Sequence, residues 1–372
     1  MLDVVIQNMK IYKGLLKEVI KINSIRHKVL NFLNQEIEDK KMPGASILIA
    51  KKQKVLVKEF IGKKSTLEHD TNVDEHTLYD IASLTKVVAT LPSILKLIDD
   101  GECHLFDKVQ SFIPEFRHSH ITIYHLLTHT SGLPAHRPYY LEKLNKEDII
   151  SEICREELSY STESKVVYSD LGFILLSKIV ENITGKTFSD FVSEEVFEKL
   201  DMHDTFFVPN ISKSRFAPTE FDSRINQFKR GIVHDENAEA MGGISGHAGL
   251  FSTLNDLYKY AQMVEMNGEY CGNKIISNSS MNISKHNFTK KLNTSRGLGW
   301  EINTNINLQC GQLFSKDAYG HTGFTGTSMY FDPSIELVVI LLTNRVFFGR
   351  ENVITNLRPR LHNLIRAEIE NL

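Results

Sequence analysis

Apolar residues along this chain fall into two kinds of run, and the two kinds are segregated. Near the start, Ala45-Ser46-Ile47-Leu48-Ile49-Ala50 and Val55-Leu56-Val57-Lys58-Glu59-Phe60 are short runs joined by Lys51-Lys52-Gln53-Lys54, which predicts a β-hairpin. Near the end, Thr327 to Phe331 and Ile335 to Leu342 flank the turn residues Asp332-Pro333-Ser334 and predict a second strand pair. The run from Ile335 to Leu342 is nearly all apolar, as a central strand covered on both faces requires. Val353 to Ile369 then places Leu357, Leu361, Leu364 and Ile365 on one side of a predicted helix that can cover this sheet. Between these ends, Lys86 to about Lys290 follows helical spacing with Gly and Pro punctuation. Its clearest helix is Leu171 to Ile183, with Gly185 in the stopping position.

Met1 to Ile20 mixes apolar residues with Lys10, Lys13, Lys17 and Glu18, which predicts an amphipathic helix. No linker rich in Pro, Ser or Gly divides the chain, and no internal repeat is found. The expected fold class is α+β: an antiparallel sheet flanked by terminal helices, with an inserted helical lobe. The expected division is an N-terminal helical extension, 1–24, and one domain, 25–372. Its α+β lobe takes about 25–82 and 291–372, and its helical lobe about 83–290, leaving a cleft at the junction.

Composition narrows the class. A chain of 372 residues with 41% hydrophobic content supports one large unit or two interleaved lobes. A net charge of −3 gives no whole-chain reason to expect nucleic acid or an anionic membrane as partner, and the pairs Lys51-Lys52 and Lys63-Lys64 read as solvated edges. No run approaches the roughly 20 apolar residues of a membrane span. The N-terminus lacks the apolar core and cleavage site of a secretory signal. Cys103, Cys154, Cys271 and Cys310 form no C-x-x-C pair, so neither a zinc knuckle nor a disulfide framework is suggested. The expected location is cytoplasmic, and the expected partner a small-molecule or peptide substrate.

Ser83-Leu84-Thr85-Lys86 carries the strongest chemical signal, because positions i and i+3 share a helix face and the amine can reach the hydroxyl. Ser93-Ile94-Leu95-Lys96 repeats the spacing ten residues on. At about 100° per residue Ser93 lies roughly 280° around the helix from Ser83, on another face. Asp80-Ile81-Ala82 leads Ser83 into a helix start, where unpaired N–H groups can face an anion. Ser93 is therefore read as structural.

Tyr168-Ser169-Asp170 precedes the strong central helix, and Gly320-His321-Thr322-Gly323 precedes the last strand pair. An S-x-x-K, a tyrosine-x-(Asn or Asp) and a (Lys or His)-Thr-Gly in that order resemble the penicillin-recognising serine hydrolases, and the tyrosine version resembles their class C branch. That branch includes class C β-lactamases, D-amino-acid peptidases and β-lactamase-like esterases. Leu126 to Pro134, Gly242 to Thr253 and Gly297-Leu298-Gly299-Trp300 are similar to further segments of it, so the resemblance spans about 40–345. Val233-His234-Asp235-Glu236-Asn237-Ala238 is similar to a narrower subgroup, the β-lactamase-fold N-acetylmuramoyl-L-alanine amidases.

The resemblance implies an acyl-enzyme on Ser83, a proton relay of Lys86 and Tyr168, and a strand His321-Thr322-Gly323-Phe324 edging the cleft. The Ser83 and Phe324 N–H groups would hold the oxyanion. Burial at a helix N-terminus is expected to lower the Lys86 pKa, and a nearby cation to lower that of Tyr168. Two residues depart from the common pattern. Asp170 stands where Asn is usual; it favours protonated Lys86 and moves the base role toward Tyr168. His321 replaces a lysine, so any anchoring charge is expected to vanish above its ordinary pKa of about 6.5.

The expected function is a serine hydrolase acting on an amide or ester, foremost a muropeptide amidase or peptidase working on internalised fragments. The alternatives are a carboxylesterase or class C-type β-lactamase, or an inactive peptidoglycan-binding sensor. A sensor would be expected to lack Ser83, Lys86 or Tyr168. Fifteen histidines without an H-E-x-x-H or Cys/His pairing give no metal site, and no cofactor is expected. Gly242 to Gly249 lacks the ending of a phosphate loop and is read as tight packing. His234, Asp235 and Asn237 fit either substrate contact or the polarity of a surface loop.

Overall fold

Both chain ends enter one antiparallel sheet, which is why strand-like runs sit at the ends and helical runs in the middle. A computed structural model describes residues 2–303, 309–351, 354 and 356–370; before residue 19, side chains are described only at Tyr12 and Leu16. The elements used below are α1 (Leu2–Glu38), β1 (Gly44–Lys51), β2 (Lys54–Gly62), α2 (Leu91–Asp99), α3 (Asp170–Thr184), α4 (Leu254–Glu265), α5 (Asn278–Ser284), β3 (Glu301–Ile302), β4 (Tyr319–Thr322), β5 (Ser328–Asp332), β6 (Leu337–Thr343) and α6 (Leu357–Ile369). The sheet order is β2-β1-β6-β5-β4-β3.

β1 and β6 lie at the centre with Ile47 opposite Leu341 and Leu48 opposite Ile340. Alternate side chains serve two cores. Ile47, Ile49, Val339 and Leu341 pack with the terminal helices, through Ile25, Val29 and Leu33 of α1 and Leu357, Leu361 and Ile365 of α6. Leu48, Ala50, Val338 and Ile340 face the inserted helices, including buried residues of α2, α3 and α4. Within that lobe α3 is buried along most of its length, and Gly185 ends it at φ 68°, a left-handed cap that glycine adopts without steric cost.

The predicted elements differ from the observed ones mainly at their ends. The first hairpin turns tightly on Lys52 and Gln53, both at positive φ, so Lys51 and Lys54 belong to strands. Ile335 lies in the turn before β6. The last helix starts at Leu357; Val353 lies outside the described residues. Lys64 is not a solvated edge: it is buried, donates to the Ser214 carbonyl at 3.1 Å and lies 3.7 Å from Asp74. The N-terminal helix continues without a break across residue 24, and its packing begins near Ile22 and Ile25. No helix among the described residues is long and apolar enough to cross a membrane.

Candidate active site

The segment that presents Ser83 is held in place before Ser83 is reached. The short strand Tyr79–Asp80 pairs with Phe251–Ser252, and the chain then turns at Ala82, a residue with a β-carbon at φ 46°. That left-handed geometry persists only where surrounding contacts impose it. Asp80 supplies two: its Oδ1 accepts the Ala82 N–H at 2.8 Å and its Oδ2 the His234 N–H at 2.6 Å. From the sheet side, Thr325 Oγ1 donates to the Asp80 carbonyl at 2.7 Å and Thr327 Oγ1 to the Ile81 carbonyl at 3.1 Å. A β-carbon on Gly323 would sit 2.5 Å from the Ile81 carbonyl, so only glycine lets β4 close this tightly on the turn. Ser83 then opens a continuous helical run: a tight turn Ala82–Leu84, a wide i→i+5 turn Lys86–Thr90, and α2. Ser93, further along, is fully buried and donates to the Ala89 carbonyl at 2.8 Å.

Lys86 is fully buried, and its Nζ donates to Ser83 Oγ at 3.1 Å, Asp170 Oδ1 at 2.8 Å and the His247 carbonyl at 2.9 Å. Three acceptors take the three ammonium hydrogens. Burial acts to lower its pKa, yet the charges of Asp170 and Tyr168 outweigh burial and the net shift is upward. The expected downward shift is therefore corrected, because Asp170 supplies a buried countercharge. Burial also opposes the Asp170 charge, but Lys86 and His136 hold its carboxyl well below the usual range. His136 Nδ1 lies 3.9 Å from Asp170 Oδ2, and that carboxylate raises the His136 pKa.

Tyr168 lies beside this group, its ring centre 4.8 Å from Lys86 Nζ and 5.6 Å from Arg296 Cζ. Its hydroxyl is buried without a hydrogen-bond partner. Burial raises the phenol above its ordinary pKa, and the Lys86 charge only partly offsets this, so the expected downward shift is corrected here as well. His129 stacks against Tyr168 with ring centres 4.7 Å apart, and its Nδ1 accepts the Ser169 N–H at 3.1 Å.

His321 faces Tyr168 from β4 at 5.8 Å between ring centres. Burial, reinforced by Lys86 and Arg296, pushes its pKa down to about 3. The expected loss of charge near 6.5 does not arise, because the ring is neutral throughout the neutral range. Its Nδ1 lies 2.8 Å from the Thr322 carbonyl, which can only accept, so Nδ1 carries the hydrogen. Nε2 is then a bare acceptor, buried and unpartnered.

Ser83, Tyr168, Arg296, Glu301, His321, Thr322 and Phe324 are among the residues lining one cleft of about 290 Å³. Phe324 is 49% exposed and is flanked by the His234 ring and the Arg345 guanidinium. Among the described residues the Ser83 and Phe324 N–H groups make no hydrogen bond.

His234, Asp235 and Asn237 are not a polar surface loop. His234 and Asn237 are buried, and Asn237 ties the 137–140 segment through the Arg137 carbonyl at 2.7 Å and the Tyr140 N–H at 3.2 Å. Asp235 Oδ1 lies 2.8 Å from His247 Nε2 and also accepts the Ala238 N–H. His247 thereby joins this segment to the backbone carbonyl that holds Lys86. Gly246, next to it, has no room for a β-carbon, which would lie 2.2 Å from the Phe173 carbonyl. Asp80, His136, His247 and Arg296 were absent from the sequence-derived set. Arg296 directly precedes Gly297-Leu298-Gly299-Trp300, and His247 lies inside the glycine-rich segment. Nothing in the spacing of either motif marks these side chains.

The sequence profile of the family described as Beta-lactamase matches residues 29–363. The chain belongs to the beta-lactamase family. Within the family, it is 31% identical over 353 residues to a putative D-alanyl-D-alanine carboxypeptidase of Escherichia coli (strain K12), covering 84% of this chain and 81% of that protein. It is also 31% identical over 344 residues to an N-acetylmuramyl-L-alanine amidase of Bacillus subtilis (strain 168), covering 82% and 77%. Among solved structures, the fold matches EstCE1, a hydrolase with promiscuous acyltransferase activity, with TM-score 0.77, 18% identity and coverage of 93% and 100%. It matches a class C beta lactamase from Rhodobacter sphaeroides with TM-score 0.73, 16% identity and coverage of 92% and 99%. Beta-lactamase-family serine hydrolases are thus the class to which this chain belongs, and its mixed antiparallel fold is theirs.

Proposed function

We propose that this serine hydrolase is an amidase of cell-wall fragments, cleaving the amide between a muramic acid and an amino acid through an acyl-enzyme on Ser83. The observation that carries the nucleophile is the Lys86 Nζ to Ser83 Oγ contact of 3.1 Å beneath an unpartnered Tyr168 hydroxyl. With its three hydrogens donated, the Lys86 ammonium orients Ser83 and favours the phenolate of Tyr168. Tyr168 takes the Ser83 proton as Oγ bonds to the carbonyl carbon, then passes it to the leaving nitrogen as the C–N bond breaks. The Ser83 and Phe324 N–H groups hold the oxyanion; losing one such donor typically costs roughly 10²–10³ in rate. Water then attacks the acyl carbon as Tyr168 takes its proton, and Tyr168 returns that proton to Ser83 Oγ as the ester bond breaks.

The muramoyl amide is favoured over the peptide by the Val233–Ala238 segment. In this chain that segment is built into the site: Asp235 pairs with His247, and His247 presents the carbonyl that holds Lys86. The neutral His321 supports weak turnover of penicillins, whose carboxylate gains nothing from it. The deciding experiment incubates the protein with N-acetylmuramoyl-L-alanyl-D-isoglutamine and, separately, with an acyl-D-Ala-D-Ala peptide, and follows products by mass. Release of N-acetylmuramic acid is expected. Release of D-alanine alone would assign a carboxypeptidase, and rapid cephalosporin turnover with neither product would assign a β-lactamase.

A further inference from the structure

Arg358 is the second residue of α6, the helix that packs on the sheet face away from the inserted lobe. It is 6% exposed, and its Nη2 donates to carbonyls at the two ends of the β4–β5 turn, Gly323 at 3.2 Å and Thr327 at 3.1 Å. Its Nη1 lies 3.4 Å from Oε1 of Gln309, a cleft-lining residue, and its Nε is buried without a hydrogen-bond partner. Among the described residues no carboxylate comes within ion-pairing distance of it. Glu301 attracts it from further off, but Glu301 Oε2 already accepts the Tyr330 hydroxyl at 2.6 Å, and Arg345 repels it. Burial lowers its pKa to about 10, so it stays charged at neutral pH. The first turn of a helix is also the end that disfavours a cation. A buried charge without a countercharge and with an idle donor costs stability, and an apolar side chain of similar volume would fill the space at lower cost.

Packing therefore does not account for this residue, whereas its position does. The Gly323 carbonyl and the Phe324 N–H belong to one peptide group, coupled by resonance through the C–N bond and pointing to opposite sides of it. Donors on the carbonyl oxygen draw electron density from the N–H and fix its direction; bonds in such a chain strengthen one another by about 10–30% each. Besides Arg358, the Gly326 N–H donates to this carbonyl at 3.1 Å. We infer that Arg358 is a positioning residue for acyl transfer: acting through the Gly323–Phe324 peptide, its guanidinium aims and polarises the Phe324 N–H that receives the oxyanion. The inference rests on Ser83 attacking and Phe324 donating as proposed above. It goes beyond that reading by drawing the C-terminal helix into the reaction, and it gives Arg358 no contact with substrate.

The test uses the full chain with p-nitrophenyl acetate and phenylboronic acid, which need only the nucleophile and the oxyanion donors. Arg358→Met should lower kcat and kcat/KM together by about 10- to 100-fold with KM little changed, short of the roughly 10²–10³ for losing a donor outright. The tetrahedral boronate on Ser83 puts an oxygen where the oxyanion forms, so its affinity should fall by a similar factor. Arg358→Lys keeps the charge and should regain most of that loss, whereas the uncharged Arg358→Gln should not. Wild-type kcat in a folded Arg358→Met overturns the assignment. So does a loss carried by KM alone, or an Arg358→Lys no faster than Arg358→Gln, since the side chain would then only fill the turn. Thermal melting reports folding, and the Lys and Gln variants carry the test if Arg358→Met does not fold. Ester hydrolysis surviving in Ser83→Ala would remove the nucleophile and this inference with it. Failure to cleave the muramoyl dipeptide, with the ester pattern as expected, would remove the amidase reading and leave Arg358 its role.

Discussion

At Ser83, Lys86 and Tyr168 the consequences of individual atoms can be measured directly. Ser83→Ala should abolish covalent labelling by a fluorophosphonate, read as intact mass. Ser93→Ala should keep it, since the buried Ser93 hydroxyl donates to the Ala89 carbonyl of the preceding wide turn. Equal labelling of wild type and Ser83→Ala would refute the nucleophile. If Lys86 and Tyr168 act as one unit, Lys86→Ala and Tyr168→Phe should each slow acylation by orders of magnitude, with the double variant little worse than either. The pH profile has a definite sign. Tyr168 titrates above its ordinary value, so the phenolate fraction, and with it acylation, should climb about tenfold per pH unit from pH 6 to 9. His321 adds no step near 6.5, because its neutral form persists down to about 3. Asp170→Asn removes the leading charge that holds Lys86 protonated, leaving burial to lower it, so the basic limb should move to lower pH. An unmoved limb would show that Asp170 does not control the pair. The motif residues could be found from sequence because their types and order are specific. The directions of their shifts could not, since they depend on how completely Asp170 and Lys86 are buried together. Arg296 was invisible for a similar reason: a lone arginine beside a glycine-rich strand entry has no signature until the fold brings it against the Tyr168 ring.

Among elements, the decisive contact is between the β4–β5 turn and the turn before Ser83. Thr325, Thr327 and the bare α-carbon of Gly323 tie the segment carrying Phe324 to the one carrying Ser83, the two proposed oxyanion donors, from positions about 240 residues apart. Gly323→Ala should cost at least about 10² in acylation rate while Ser83, Lys86 and Asp170 keep their mutual bonds. Stopped-flow labelling beside a melting curve separates that effect from simple unfolding, and a variant with wild-type acylation would count against the clamp. A second element-level consequence lies between α4, α5 and the sheet, where a cavity of about 800 Å³ admits Glu265, Lys285 and Tyr319. Burial pushes the Glu265 pKa up to about 7 from 4.5. Between those values the unfolded chain has lost the proton that the folded chain keeps, so stability falls as pH rises through that window. Glu265→Gln should therefore gain up to about 3 kcal/mol at pH 8.5 and nothing at pH 4, measured by urea unfolding. An equal effect at both pH values would refute it. Periodicity exposed the central strands and α3, whose apolar runs are long. It did not expose the wide turn Lys86–Thr90 or the left-handed Ala82, which tertiary hydrogen bonds impose on residues of ordinary propensity.

For the molecule as a whole, the two-sided sheet assigns different duties to its two cores. The core toward the inserted helices carries the site, and the core toward α1 and α6 closes the opposite face. The interlocked ends were legible because a run as apolar as β6 must be covered on both sides, and the helical stretch before it and the terminal helix after it are the available covers. A division of the chain at residue 24 is a proposal, and the helix itself passes through that point unbroken. Tyr12, Leu16, Val19 and Ile20 are 69%, 49%, 53% and 60% exposed, whereas Ile25, Val29 and Leu33 are buried against the sheet. Among the described side chains of α1, apolar burial begins with Ile22 and Ile25, at about 25 cal/mol per Å² of apolar surface removed from water. Deleting residues 2–20 is expected to shift the melting temperature by less than about 2 °C and to leave ester hydrolysis intact. Val29→Ala, by contrast, should lower stability by about 1–3 kcal/mol through the cavity it leaves against β1. A truncated chain that melts far below the full one would show that the first five turns of α1 are held by the domain, and the division at residue 24 would then have to be withdrawn.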